Sequence, residues 1–139
     1  MNPRYLLDTN VLSEIRKGAK CDAKVREWWD STTIFDFYLS VIVAGEIYRG
    51  IDKLMKTNPA LARKFQSWLR SLVREFEGRT LGVDLKTAEL WGRLTSKRTL
   101  PLADGLLAAT ALAHDLTLVT RNTKDIKDTG VRYLNPFET

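Results

Sequence analysis

Cysteine and histidine are nearly absent: among 139 residues there is one of each, Cys21 and His114. A lone thiol closes no internal disulfide, and one sulfur with one imidazole builds no zinc site. Neither residue is given a role, and any metal held here must take oxygen ligands. Long apolar runs are also missing. None approaches the roughly 20 residues that a membrane-spanning helix needs. Only a short apolar stretch separates Arg4 from Asp8, too little for the core of a secretory leader. A cytoplasmic protein without membrane contact is the expectation. Low-complexity linkers and internal repeats are lacking too, so residues 1–139 are expected to form a single domain.

What the chain does have is apolar material for a core, 44% of its residues, in a globular and not a disordered composition. It carries 22 Lys and Arg against 17 Asp and Glu, a net charge of +5. Between Arg49 and Arg79 the bias is steeper, with eight basic residues against three acidic ones. Such a bias suits a polyanionic partner, and equally a solvated face on two helices.

Periodicity supplies the elements. Arg4–Leu7 reads as a strand that stops at Asp8, followed by a helix over Thr9–Lys17 that Gly18 ends. Asp22–Asp30 suits a second helix, and "FDFYLSV" at Phe35–Val41 has strand character. Ile42–Lys56 gathers Val43, Ala44, Ile47, Ile51, Leu54 and Met55 on one helical face. "TNP" at Thr57–Pro59 breaks it, and a second long helix runs on towards Gly78. Arg79–Val83 is a short strand. Leu85–Ser96 is a helix with Ala88, Trp91 and Leu94 expected inward, and another helix starts near Pro101 and runs to about Asp115. Strands are expected at Leu116–Thr120 and Val131–Leu134. Short strands alternating with helices predict an α/β fold with a mainly parallel central sheet flanked by helices.

In open parallel sheets, sites form beyond the carboxyl ends of the strands. Asp8 stands at such an end. An N-cap for the next helix would explain it, and so would a ligand role. Glu46 lies beside the apolar arc of its helix, where an ion pair with Arg49 or Lys53 is the ordinary alternative. Asp104 shares a helical face with Leu107, Ala108 and Ala111, so its carboxylate must be compensated. "TRNTKD" at Thr120–Asp125 puts Thr120, Asn122 and Asp125 after a buried-type strand, in what is otherwise an ordinary turn composition. If the sheet is parallel, these acids converge. Carboxylates in one pocket repel unless a divalent cation sits among them or some are protonated. Oxygen ligands without His or Cys select Mg²⁺ or Mn²⁺. Thr9, Asn10 and Thr120 are candidates to orient the carboxylates by hydrogen bonds, or simply to cap and turn the chain.

The segments "LLDTNVLSE" (6–14), "LSVIVAGEIYRGI" (39–51), "LPLADGLLAATALAHDLTLVTRNTKDI" (100–126) and the ending "VRYLNPF" share their order and spacing with a known family. The sequence resembles the PIN-domain ribonucleases, especially VapC-type toxins of toxin–antitoxin pairs, in the subgroup that includes the FitB-like proteins. The resemblance implies a PIN-like three-layer α/β/α sandwich and a homodimer. It implies Mg²⁺- or Mn²⁺-dependent RNA cleavage, and a small antitoxin that covers the active site. It carries the family's acids to Asp8, Glu46 and Asp104, as metal ligands and catalytic groups, with Glu46 holding or deprotonating the attacking water. The fourth acid falls where this chain has Asn122, with Asp125 three residues on, and either completes the set. Arg49, Lys53, Lys97, Arg98, Arg121 and Lys124 are candidates to line an RNA groove. Trp28, Trp68 and Trp91 are expected in core or dimer packing. Two alternatives remain open: a catalytically weak interaction module on the same fold, and a nuclease acting on DNA. A phosphoryl-accepting receiver domain does not fit, because the acids lie mostly in helix turns.

Overall fold

The computed structural model describes residues 3–138. Strand β1 (Tyr5–Leu7) leads into helix α1 (Thr9–Arg16), and α2 (Ala23–Asp30) follows. Strand β2 (Phe37–Ser40) precedes the long α3 (Val41–Met55) and α4 (Pro59–Glu75). Strand β3 (Thr80–Leu81), α5 (Leu85–Ser96), α6 (Leu102–His114), β4 (Thr117–Val119) and β5 (Tyr133–Leu134) complete the order. The five strands form one sheet in the order β3-β2-β1-β4-β5, with every pairing parallel. Six helices flank it, as an α/β/α sandwich requires. No helix among the described residues is long and apolar enough to cross a membrane.

The sheet's hydrophobicity follows from this layering. A parallel strand covered on both faces has no solvent side, so its residues need not alternate. Leu6 and Leu7 of β1, and Leu118 and Val119 of β4, are accordingly all buried. Val43, Ile47 and Ile51 of α3 and Leu107, Ala108 and Ala111 of α6 close over the same core. Small residues on α6 let it come close. At Gly105 a Cβ would stand 3.1 Å from the Trp91 indole nitrogen, so glycine is what admits Trp91 of α5 against α6. Trp28 meets Tyr5 and Trp29 edge-to-face, lies tilted against Phe37 and is partly buried against the core, which bears out the packing role expected of it.

The helix starts are set by polar caps. Ser40 Oγ accepts from Ile42 N–H to open α3. Asn58 Oδ1 accepts from Leu61 N–H, with Pro59 in the first turn, to open α4. Two details depart from the sequence expectation. The segment before β2 is a 3-10 turn over Ile34–Asp36, which leaves Phe35 exposed instead of in a strand. On α5, Thr87 and not Ala88 is buried. Thr87 is four residues from Trp91 and seven from Leu94, the helical spacing of one face. Its hydroxyl donates to the capping Asp84 Oδ1 at 2.8 Å, so burial leaves nothing unpaired.

Edge strand β3 is held by Arg79. Its guanidinium donates to the carbonyls of Ile34, Phe37 and Glu75 and lies against the Phe76 ring at 4.9 Å. Arg79→Ala is expected to destabilise the fold by about 2–3 kcal/mol, since three carbonyls lose a charged donor. Arg79→Lys should restore little of it, because an ammonium lacks the planar fork. Urea denaturation measures both, and an unchanged midpoint in Arg79→Ala would show the three bonds to be dispensable.

Candidate active site

The chain moves from β1 to β2 and β3 on one side, then returns to place β4 and β5 on the other. Strand order therefore reverses at the β1–β4 crevice, where ligands of open α/β sheets bind. The register pairs Leu7 with Val119, which brings the next residues, Asp8 and Thr120, side by side at the carboxyl edge. Asp8 N–H donates to Val119 carbonyl at 2.9 Å. The Thr120 hydroxyl donates to Asp8 Oδ2 at 2.7 Å.

Asp8 does both things the sequence left open. Its Oδ1 accepts from Thr9 N–H at 2.7 Å and caps α1, while Oδ2 faces Thr120 and the Asn10 amide. Only 7% of it is exposed, so its carboxylate is committed to these donors. Thr9 turns the other way and donates its hydroxyl to Glu46 Oε1 at 2.9 Å, tying α1 to α3. No ion pair joins Glu46 to Arg49 or Lys53 among the described residues. Asp104, half-buried in the first turn of α6, accepts from Asn122 Nδ2 at 3.1 Å. The same amide nitrogen stands 3.4 Å from Asp125 Oδ2.

All eight residues singled out in the sequence thus gather at one edge. Their mutual influence is registered at Asp104. Burial pushes its carboxyl up to about 6, with the charges of Asp8, Asp125 and Glu46 adding to the rise and the Asn122 hydrogen bond opposing it. Among the described residues no three acids, imidazoles or thiols form a ready-made ion cage. The carboxylates are spaced by Thr9, Thr120 and Asn122 instead. This donor set fits a hard divalent cation that keeps part of its water shell, as Mg²⁺ does on one or two carboxylates. Asp8, Glu46 and Asp104 are the residues that would hold it. Asn122 turns its amide nitrogen to the acids, which suits an orienting role better than ligation.

Thr120 is the hinge pin of the cluster. Its hydroxyl donates to Asp8 and accepts from Asn10 Nδ2 and Asn122 N–H. Thr120→Val keeps the shape and removes all three bonds. A stability loss of about 1–2 kcal/mol is expected from denaturant titration, and none if the hydroxyl is idle.

Two neighbours of the site were not foreseen as such. The Phe137 ring lies 4.5 Å from the Arg121 guanidinium, a pairing 16 positions apart that no local pattern announces. A groove of about 230 Å³ leads away from Thr9 and Glu46 between Ile47, Leu54, Phe65 and Trp68. Trp68 therefore faces this groove as well as the core.

The PIN-domain family model matches residues 5–131. The chain is 36% identical over 141 residues to the VapC ribonuclease Y4jK of Sinorhizobium fredii, covering 96% of this chain and 97% of that one. It is 33% identical over 139 residues to the toxin FitB of Neisseria gonorrhoeae, covering 95% and 97%. The crystal structure of FitAcB from Neisseria gonorrhoeae superimposes with a TM-score of 0.87 at 33% identity, covering 97% of this chain and 99% of that one.

Proposed function

The chain belongs to the PIN-domain family, and from that premise we propose that it is a ribonuclease toxin of a toxin–antitoxin pair, hydrolysing RNA with a divalent cation. Its relatives include a VapC ribonuclease and a FitB toxin, which supports the substrate class and the biological setting. The observation that carries the chemistry is the gathering of Asp8, Glu46 and Asp104 at the carboxyl edge of the sheet, each oriented by a hydrogen bond from Thr120, Thr9 or Asn122. When bound, Mg²⁺ or Mn²⁺ supplies charge for the phosphoryl group and lowers the pKa of water in its shell.

The chain's own residues do the rest. Asp8 and Asp104 hold their oxygens in fixed directions, one through Thr120 and the other through Asn122. Glu46, oriented by Thr9, is placed to take the proton of the attacking water as general base. The water oxygen bonds to phosphorus as the ribose oxygen departs with a proton from solvent. The apolar groove beside Glu46 suits a covering segment of the antitoxin. A homodimer working in the cytoplasm completes the proposal. Incubating purified protein and Mg²⁺ with mixed pools of RNA and of single-stranded DNA tests it. Cut RNA beside intact DNA is expected, with EDTA stopping the reaction. DNA cleavage alone would move the activity to another nucleic acid. No cleavage of either, with antitoxin binding intact, would favour a non-catalytic module.

A further inference from the structure

One arginine in the loop after β4 is paired with no acid among the described residues. Arg121 stands between Thr120, which holds Asp8, and Asn122, which reaches Asp104 and Asp125. Its backbone N–H donates to Asn10 Oδ1 at 3.1 Å, which fixes its main chain against α1. Its guanidinium carbon lies 4.5 Å from the centre of the Phe137 ring. That ring is partly buried against the core. It sits in a turn that Phe137 N–H closes on Asn135 Oδ1, directly after β5, whose Leu134 carbonyl accepts from Thr120 N–H. Both ends of Arg121 are therefore anchored to the edge that carries the acids.

Among the described residues the Arg121 side chain makes no ion pair and no hydrogen bond to the protein. This is unusual placement. An exposed arginine in a loop that also carries an acid, here Asp125, can fold onto it to form an ion pair. The aromatic face holds this one aside, and its fork of N–H donors is left for another anion. Of the six basic residues considered for an RNA groove, this is the one whose main chain and side chain are both tied beside the cluster.

We propose that Arg121 grips a phosphate of the RNA next to the bond being cut, and that Phe137 is the platform that holds its guanidinium ready. The proposal rests on the ribonuclease reading and adds the residue that seats the substrate. A planar fork matches two phosphate oxygens at once, which a lysine cannot do. Holding the fork in advance removes part of the ordering cost of binding.

The test is binding of a labelled single-stranded RNA, followed by anisotropy in Mg²⁺ at several salt concentrations. A Glu46→Gln parent keeps the RNA uncut. Arg121→Gln is expected to weaken binding about 10-fold and to lower the slope of log K against log salt by roughly 0.7, the value of one phosphate on a single strand. Phe137→Leu keeps the charge and should weaken binding about threefold with the slope unchanged. Lys20→Gln, an equal change of charge beyond the far end of α1, should leave both as in the parent. With Glu46 intact, Arg121→Gln should raise KM more than it lowers kcat. The proposal is overturned if Arg121→Gln binds like the parent, or if Lys20→Gln does equal harm, which would reduce the effect to overall charge. A parent that binds no RNA at all sinks the ribonuclease reading, and this proposal with it. RNA binding that is indifferent to Arg121 sinks only the proposal.

Discussion

Asp104→Asn is expected to remove RNA cleavage and, in the same protein, to raise the stability of the metal-free fold. The two effects have one cause. The Asp104 carboxyl is raised from 3.8 to about 6, by burial first and then by Asp8, Asp125 and Glu46. A folded-state pKa above the unfolded one means that the folded chain binds this proton more tightly. The stability linked to it is complete below about pH 4 and is lost as pH rises through 6. At pH 7 the ionised group therefore opposes folding. The amide carries no charge, and its oxygen can still accept from Asn122. Asp104 is only half-buried, so solvent screening reduces the gain to about 1 kcal/mol, roughly 3 °C in Tm. Cleavage should fall on the order of 10³-fold, the several kcal/mol that a metal's charge contributes at a phosphoryl group. A variant that still cuts within tenfold of wild type, or that melts earlier, would detach Asp104 from this role.

Asp8→Ala should lose on both counts. Asp8 caps α1 with one oxygen and receives Thr120 and Asn10 on the other, in a nearly closed setting. Alanine removes the cap, at about 1 kcal/mol, and leaves the buried Thr120 hydroxyl without its acceptor, at about 1–2 kcal/mol more. A total near 2–3 kcal/mol is expected from urea denaturation, together with loss of cleavage comparable to that of Asp104→Asn. Asp8→Asn should recover the cap and much of the stability without recovering cleavage. Equal stability of Asp8→Ala and wild type would show that Asp8 is not part of the framework. The two acids thus differ in kind: one is built into the fold and the other is tolerated by it.

The difference was only half legible in the sequence. That Asp8, Glu46 and Asp104 belong together followed from their places after strands and in early helix turns, because a parallel sheet sends such positions to one edge. That Asp8 both caps a helix and faces the site depends on the Leu7–Val119 register, which no single segment encodes. Residue type misled at α5: Ala88 is the more apolar choice, yet the spacing to Trp91 and the Asp84 cap turn Thr87 inward. Phe35 misled in the same way, since its alternation with Phe37 suited a strand while the chain makes a 3-10 turn there. The Arg121–Phe137 pairing was hidden because it joins the loop after β4 to the turn after β5, two segments that only the folded sheet makes neighbours.

The most direct test of the carboxylate cluster as a cation site needs no RNA. Tm is measured for wild type and Asp104→Asn at pH 7, first in EDTA and then with rising Mn²⁺. In EDTA the variant should melt above wild type. With Mn²⁺ at about 100 times its Kd, wild type should gain roughly 2.7 kcal/mol and overtake the variant, which gains little. Equal gains in the two proteins, or none in wild type, would contradict a cation held by these carboxylates.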